Sequence, residues 1–324
     1  MRAGQNPAKA LRQVAHPAEI TAAVTTYIPF TSGYYEQSLE VLKLSLESLR
    51  AHADLPFDLM VFDNASCERV REFLMEEHHH GRIQYLILSE QNMGVVGAWN
   101  VLFGAAPGKY IAYSDYDIFF YPNWLSPLVK VLETFPQAGM VTGMPLLTPE
   151  QYSDKTVAWA EGTKEANLES DQGISWEDTW RHGGSIGSSE QETREFFEKT
   201  TRFQVRYQGL QCYIGAGHFQ FIGRKSIFQE IIPLYAERPM GGEVRNLDIA
   251  INSHGYLRLN TPEWHVEHMG NTMVERFINQ IMDHPGGTEK EIEIQKKEHW
   301  VTRIPIIRRL LKSMYRRIFK VLYR

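Results

Sequence analysis

The chain has 324 residues, of which 43% are apolar and 23% charged. These values are typical of a globular protein and exclude a disordered or fibrous chain. The formal net charge of −5 is unevenly distributed, because residues 303–324 contain eight Lys or Arg and no Asp or Glu, which leaves −13 on the preceding residues. An acidic body lacks the cations that neutralise nucleic-acid phosphates, so we expect no nucleic-acid partner.

Predicted strands and helices alternate after a polar leader of residues 1–19. Apolar runs predict strands at residues 20–28, 57–62, 83–88, 110–114 and 140–142. Apolar residues at helical spacing predict helices at residues 37–50, 67–77, 94–103 and 122–135, with Ser66 as the N-cap of the second. This alternation, joined by short links, predicts an α/β fold with a mainly parallel sheet flanked by helices on both faces.

The alternation stops over residues 148–211, which are polar and rich in Glu, Ser, Thr and Gly. We interpret this segment as an insertion with some helix, which could form a lid. Regular patterning resumes at residue 212, with helices predicted at 225–232 and 244–253 and a strand at 256–259. We assign residues 212–300 to the second half of the domain that begins at residue 20.

The last segment, residues 301–324, has the pattern of a basic amphipathic helix. Apolar residues recur at helical spacing from Ile307 to Leu322, and most Lys and Arg residues occupy other faces. Helices of this kind lie in the interface of anionic membranes, where each basic residue near the surface contributes about 1 kcal/mol. A helix docked on the acidic body or in an oligomer is the alternative.

Two further patterns bear on the cellular location. No run of about 18 apolar residues occurs, so we expect no membrane span, and the leader lacks the apolar stretch of a signal peptide. Cys67 and Cys212 lie far apart and imply no disulfide framework, which fits a reducing compartment. We therefore expect a cytoplasmic protein, held peripherally on the inner face of the membrane by its C-terminal helix.

Polar residues close three of the predicted strands. Thr25 and Tyr27 close the first, Asp63 closes the second, and Asp115 and Asp117 follow the fourth. Ligands of parallel α/β sheets bind at these carboxyl ends. Two neighbouring carboxylates repel each other unless a hard cation such as Mg²⁺ lies between them and substrate phosphates; a solvated turn is the alternative. Neither a dinucleotide-binding fingerprint nor a P-loop follows the first strand, which excludes those two enzyme classes.

These motifs belong to a longer ordered set that covers residues 20–145 and 212–272. Its members are Thr25-Thr26-Tyr27, Asp63, Asn92-Met93-Gly94 with Asn100, Asp115-Tyr116-Asp117, Pro122-Asn123-Trp124-Leu125, Gly215-Ala216-Gly217, Asn246-Leu247-Asp248 and His268-Met269-Gly270. In order and spacing the set resembles glycosyltransferase family 2. The resemblance implies a GT-A fold with a Rossmann-type sheet, in which residues 20–147 bind a nucleotide-diphosphate sugar and residues 212–300 form the acceptor side.

The resemblance also implies roles for individual residues. The implied donor-binding residues are Thr25, Tyr27, Asp63, Asn92 and Asp115. Asp63 would bind the base or ribose, with capping of the next helix as the alternative, and Asn92 would contact the nucleotide or only cap a turn. Asp115 would approach the ribose or the metal. Asp117 and His268 would hold a divalent cation, Mg²⁺ or Mn²⁺, with a structural role as the alternative for His268.

On the acceptor side, the resemblance implies Asp248 as the general base of a single displacement with inversion. The sugar would pass to a hydroxyl of a glycan or lipid-linked acceptor, in the synthesis of cell-surface glycans. Leu247 departs from the family, which often has an acid there. One alternative is a sugar-1-phosphate nucleotidyltransferase, although residues 26–33 lack the Gly-rich, Arg-containing loop it would need. Another is a non-catalytic glycan-binding protein of the same fold, which Leu247 would suit.

Overall fold

The computed structural model describes residues 14–171, 173–238 and 244–282, together with Met314 and Arg317. The chain divides into two compact units, residues 1–286 and 287–324. Every element described below belongs to the first unit. In the second unit only Met314 and Arg317 are described, and both are helical. The rest of the predicted basic helix lies outside the described residues, as does most of the polar leader.

The first unit alternates strands and helices. Its strands are β1 (Ile20–Thr26), β2 (Asp58–Asn64), β3 (Tyr85–Ser89), β4 (Tyr110–Asp115), β5 (Ile118–Phe120), β6 (Ala138–Thr142), β7 (Asn167–Ser170), β8 (Phe203–Tyr207), β9 (Leu210–Ile214), β10 (Gln220–Arg224), β11 (Leu257–Asn260) and β12 (Val266–His268). Its helices are α1 (Ser38–Ala51), α2 (Glu68–His79), α3 (Gly94–Ala105), α4 (Leu125–Thr134), α5 (Asp154–Gly162), α6 (Trp176–Ser185), α7 (Glu190–Lys199), α8 (Lys225–Ile231), α9 (Arg245–Ser253) and α10 (Glu275–Met282).

One large sheet organises the unit. Its strands lie in the order β3-β2-β1-β4-β10-β6-β11-β9-β8-β7. Strands β1, β2, β3, β4, β6, β8 and β11 run in one direction, and β7, β9 and β10 run in the other. The predicted α/β fold with a mainly parallel sheet is therefore confirmed. Strands β5 and β12 form a separate antiparallel pair.

Successive residues of the central strands pack on opposite faces of the sheet. In β1, Ala22 and Val24 lie in the apolar layer formed with α1, α2 and α4, while Ala23 lies in the layer formed with α3, α8 and α9. In β2, Val61 lies in the first of these layers and Phe62 in the second. Burial of each large apolar side chain stabilises the fold by about 1.5–3 kcal/mol. The central strands are continuous apolar runs because both of their faces are covered.

The segment predicted to be an insertion adds to the large sheet. Besides α5, α6 and α7 it contains β7 and β8, which extend the sheet beyond β9. Strand β7 is polar and lies at the sheet edge, so it has no apolar alternation from which a strand could be predicted. Strands β5 and β12 are likewise absent from the sequence prediction, because three residues are too few to show a period.

The helices of the first half lie close to their predicted bounds, but the start of α2 differs in detail. Its N-cap is Cys67, and no side chain caps it. The prediction of Ser66 as the N-cap is wrong, because the Ser66 hydroxyl accepts the backbone N–H of Ile28 at 3.0 Å instead. None of the helices within the described residues combines the length and apolar character needed to cross a membrane.

Candidate active site

The carboxyl ends of β1, β2 and β4 lie side by side at one edge of the sheet. The parallel register pairs Thr26 with Asp63 and Thr25 with Asp115. Tyr27 follows β1, and its ring meets that of Tyr35 edge-on at 6.3 Å. Since β2, β1 and β4 are adjacent and parallel, the polar residues that end them share one edge, where ligands of α/β sheets bind.

Asp63 is fully buried at the end of β2. Both of its carboxylate oxygens accept the backbone N–H of Ser66 at 3.3 Å, and its Oδ2 also lies 3.1 Å from Nε of Arg71. Burial raises the pKa of Asp63, and the contacts with Ser66 and Arg71 oppose that rise. The carboxylate thus stabilises the turn that precedes α2, because Ser66 comes before the first helical residue.

Asn92 is part of the turn that leads into α3. Its Oδ1 accepts hydrogen bonds from the Asn64 side chain at 3.0 Å and from the Gly94 N–H at 2.8 Å. In return, Asn64 accepts the N–H of Met93 at 2.7 Å. Gly94 adopts a φ of 69°, in the left-handed region that favours glycine. The two asparagines therefore hold the end of β2 against the start of α3. In this structure Asn92 makes the contacts of a turn cap, the alternative to a nucleotide contact.

Asp115 lies at the end of β4 beneath a buried tyrosine. The hydroxyl of Tyr113 donates to Asp115 Oδ1 at 2.6 Å, and the Asp115 N–H donates to the carbonyl of Phe219 at 2.8 Å. Burial, followed by the nearby charge of Asp117, raises the pKa of Asp115 to about 7. A cation or a hydrogen-bond donor of a ligand would stabilise the charged form of this carboxyl.

Asp117 and His268 are brought together by the small antiparallel pair of strands. In that pair Ile118 lies opposite His268, and the N–H of Met269 donates to the Asp117 carbonyl at 2.8 Å. Nε2 of His268 then lies 3.4 Å from Oδ2 of Asp117. The Gly270 N–H donates to Nδ1 of His268 at 3.2 Å, which orients the ring with Nε2 toward the carboxylate. The sequence offered no sign of this strand pair.

The donor atoms at this point suit a hard divalent cation. Asp117 supplies a carboxylate oxygen, and His268 supplies Nε2 once its ring proton lies on Nδ1; the two atoms are 3.4 Å apart. Within the described residues no group of three or more His, Cys, Asp or Glu side chains could hold a metal. Two protein ligands are nevertheless enough for Mg²⁺, which often takes its remaining ligands from substrate phosphates and water. The residues present therefore fit a cation shared with a diphosphate.

Helix α6 brings a second histidine to the same place. The ring of His182 stacks on Phe219 with centroids 5.0 Å apart and meets the ring of His268 edge-on at 6.3 Å. Its Nδ1 is buried and has no hydrogen-bond partner within the described residues. Burial lowers the pKa of His182 to about 3, so the ring is neutral near pH 7. Sequence reasoning missed His182 because it lies in the segment interpreted as an insertion.

Buried polar contacts anchor α6 beside β12. Glu267 is fully buried and forms ion pairs with Arg181 of α6 and Arg276 of α10. The hydroxyl of Tyr121 donates to the same carboxylate at 2.5 Å. The guanidinium of Arg181 also lies over the ring of Trp264, 4.0 Å from its centroid. Glu267 precedes His268 in β12, and Arg181 precedes His182 in α6. The ion pair between Glu267 and Arg181 therefore holds the two histidines close together.

Asp248 lies on the acceptor side with a cation on one flank and a histidine on the other. Its Oδ1 is 2.8 Å from Nη2 of Arg258, and its Oδ2 is 3.5 Å from Nδ1 of His218. The contact with Arg258 is an ion pair without hydrogen-bond geometry, because this oxygen accepts no hydrogen bond. The Asp248 side chain is 7% exposed and that of His218 is 36% exposed. Sequence reasoning found Asp248 but neither of its partners.

Leu247 is fully buried in the apolar layer beneath α9. The side chain at position 247 packs in this layer, so an acid there would be buried among apolar groups. The departure from the usual acid at this position therefore leaves Asp248 as the carboxylate that α9 offers to the site.

One curated relative resembles part of the chain. The chain is 23% identical over 116 residues to the uncharacterized glycosyltransferase alr2836 of Nostoc sp. (strain PCC 7120), an alignment that covers 36% of this chain and 35% of that relative. The chain thus spans about a third of the length of this curated relative.

Three solved structures resemble the chain at low identity. S. aureus TarS 1-349 has a TM-score of 0.45 at 13% identity, covering 76% of this chain and 59% of its own. GalNAc-T7 with UDP, GalNAc and Mn²⁺ has a TM-score of 0.46 at 16% identity, covering 77% and 42%. Mannosyltransferase PcManGT from Pyrobaculum calidifontis, in complex with GDP-Man and Mn²⁺, has a TM-score of 0.41 at 14% identity, covering 78% and 56%.

The family comparison covers more of this chain than the curated relative does. The family model described as "Glycosyl transferase family 2" matches residues 34–231, which is more than half of the chain and includes β2, α3, β4 and the Asp115-Tyr116-Asp117 motif. The chain belongs to glycosyl transferase family 2.

Proposed function

We propose that this glycosyltransferase moves a sugar from a nucleotide diphosphate donor to a hydroxyl of a glycan or lipid-linked acceptor, with inversion and with a divalent cation bound. The observation that carries the proposal is the meeting of Asp115, Asp117 and His268 at the carboxyl ends of the parallel strands. This edge offers half-buried carboxylates and an imidazole where a diphosphate would lie, and the acceptor-side Asp248 belongs to the same unit.

The donor would lie along the ends of β1, β2 and β4. Thr25, Tyr27 and Asp115 border this edge directly, and we assign them to the nucleotide and its ribose. Asp63 is fully buried and bound by Ser66, so its contact with the base or ribose would have to share those hydrogen bonds. We assign Asn92 a further contact with the bound nucleotide sugar, and this contact depends on the turn that Asn92 holds.

The divalent cation would be held by Asp117 and His268. When bound, such a cation offsets the negative charge that gathers on the leaving nucleoside diphosphate. The protein's own part is to orient the two ligands, which the β5–β12 pair does through backbone hydrogen bonds. The stacked rings of His182 and Phe219 lie against His268 and exclude water from this side.

On the acceptor side a base must take the proton of the attacking hydroxyl. Asp248 and His218 form the pair of titratable side chains available there, 3.5 Å apart. Attack from the face opposite the departing diphosphate inverts the anomeric centre in a single displacement. Segment 148–211 contributes α6 and His182 to the donor side, and we propose that its helices cover the bound donor as a lid.

The direct test is a screen of nucleotide sugars for release of the nucleoside diphosphate. We expect turnover with at least one UDP- or GDP-sugar, dependence on Mn²⁺ or Mg²⁺, and a loss of about a hundredfold or more in Asp117→Asn. Exposed His79 lies at the end of α2, so His79→Gln is a matched control that should keep full activity. Turnover that is the same with a chelator present would contradict the metal-dependent part of the proposal.

A further inference from the structure

We infer that His218 is the general base that takes the proton of the acceptor hydroxyl, and that Asp248 is its positioning residue. The inference rests on the proposed glycosyl transfer and concerns the same acceptor side. It differs from the role the sequence implies for Asp248, in which that carboxylate itself removes the proton.

Asp248 is poorly placed to act as the base. Its Oδ1 is buried 2.8 Å from a guanidinium nitrogen of Arg258, and its side chain is 7% exposed. Arg258 is held in turn by the carbonyl of Tyr152 at 2.7 Å and by the carbonyl of Ala216, so the guanidinium is fixed. The Arg258 cation therefore occupies Oδ1 and keeps it from an acceptor hydroxyl. An acceptor hydroxyl would also have little access to it.

His218 has the access that Asp248 lacks. Its side chain is 36% exposed, and its Nδ1 faces Oδ2 of Asp248 at 3.5 Å. That distance exceeds a hydrogen bond, but catalytic contacts are often loose before substrate binds and tighten in the complex. A carboxylate facing Nδ1 favours the tautomer with its proton on that atom, which leaves the lone pair of Nε2 for the acceptor.

His218 also lies between the donor and acceptor sides. It follows β9 in the loop before β10, where its ring meets that of Trp99 from α3 at 6.4 Å. Asp115 on β4 and His182 on α6 lie within electrostatic range of it, since the charge of His218 acts on the pKa of both. Asp248, which is paired with Arg258, is the third such group near His218. We place the acceptor hydroxyl and the anomeric carbon in this space.

The chemical step balances with these groups alone. Nε2 of His218 accepts the hydroxyl proton as the hydroxyl oxygen forms its bond to the anomeric carbon. The bond between that carbon and the diphosphate oxygen breaks, and its electron pair leaves on the diphosphate. The Asp248 carboxylate stabilises the imidazolium, which returns its proton to solvent afterwards. A buried aspartate orients the histidine of serine proteases in the same way, without itself taking the proton.

The pH dependence of kcat/KM separates the two bases. We would use the fastest hydrolysed of UDP-glucose, UDP-N-acetylglucosamine and GDP-mannose, with water as acceptor. A histidine base predicts that activity falls below an inflection near pH 6.5, whereas an aspartate base predicts one near pH 4. Because protonation of the cation ligand His268 would also lower activity near pH 6.5, the inflection supports His218 only if it is absent from the residual activity of His218→Gln. His218→Gln should lower kcat by about 10²–10⁴-fold with KM nearly unchanged. Asp248→Asn should lower kcat less and keep the inflection, and added imidazole should partly restore His218→Ala.

A wild-type inflection near pH 4, or full activity in His218→Gln, overturns the inference. His79→Gln should match the wild type throughout, and thermal unfolding should show that each variant folds.

A second measurement needs no activity. Imidazole ¹⁵N NMR, with the His218 signals assigned from His218→Gln, should show the neutral ring protonated on Nδ1 in the wild type and shifted toward Nε2–H in Asp248→Asn. A wild-type ring protonated on Nε2 overturns the inference. This result is independent of the proposed function, which fails separately if no nucleotide sugar is bound or hydrolysed.

Discussion

Replacing Arg258 by Met should destabilise the protein strongly, because it leaves the Asp248 carboxylate buried without its cation. Arg258 is 1% exposed and lies 2.8 Å from Asp248. Its guanidinium also donates to the carbonyl of Tyr152 and to the hydroxyl of Ser153. Removing one partner of a buried ion pair costs about 3–5 kcal/mol, and methionine fills much of the arginine volume, so we attribute this loss to charge rather than to a cavity.

The assay is equilibrium urea unfolding of four proteins: wild type, Arg258→Met, Asp248→Asn and the double variant. We expect Arg258→Met to lose about 3–5 kcal/mol of unfolding free energy. The double variant should be more stable than the sum of the single losses predicts, by about 0.5–3 kcal/mol, because it removes both charges. A loss below about 1 kcal/mol in Arg258→Met, or strict additivity, would refute the reasoning that the pair is buried and coupled.

Three further predictions follow from other parts of the molecule. Glu267→Gln should lower the unfolding free energy by about 1–3 kcal/mol, less than for Arg258, because the paired Arg181 and Arg276 side chains are partly exposed. Gly223→Ala should cost about 1–3 kcal/mol or more in urea unfolding, since a Cβ there would overlap a backbone carbonyl and the ring of Phe228. Deleting residues 306–324 should move the protein from anionic liposomes to the supernatant in a sedimentation assay, while donor hydrolysis persists.

Each of these predictions has a control or a result that would contradict it. Gly162→Ala has open space around its Cβ and should change stability by less than about 1 kcal/mol, so equal losses in both glycine variants would contradict the steric explanation. An unchanged unfolding curve for Glu267→Gln would show that the ion pairs around it contribute nothing. Neutral liposomes are the control for the tail, and unchanged binding to anionic liposomes after deletion would rule out the tail as the membrane contact.

The donor side of the site was largely predictable because its features are local. A buried parallel strand is an apolar run, and the polar residue that ends it follows directly in the sequence. Thr25, Asp63 and Asp115 could therefore be placed at strand ends before their register was known. The hydrogen bonds at these positions could not be predicted. Nothing in the sequence indicated that Ser66 would bind Asp63, or that Asn64 would bind Asn92.

The acceptor side was less predictable because its contacts join residues that are distant in sequence. The resemblance pointed to Asp248, but the positions of His218 and Arg258 depend on how β9, β10 and β11 cross. One signal was present: a lone arginine within the predicted strand 256–259 needs a partner if that strand is buried. Which acid would pair with Arg258 could not be read from the sequence.

Calorimetry of nucleotide binding tests the central claim most directly. We would titrate the wild type and Asp117→Ala with UDP, GDP and TDP, each with and without Mn²⁺. We predict that Mn²⁺ tightens binding of at least one nucleotide by about tenfold or more, equivalent to 1.4 kcal/mol, and that Asp117→Ala loses this gain. Equal affinity with and without Mn²⁺ for every nucleotide in the wild type would contradict the proposed cation-assisted donor site.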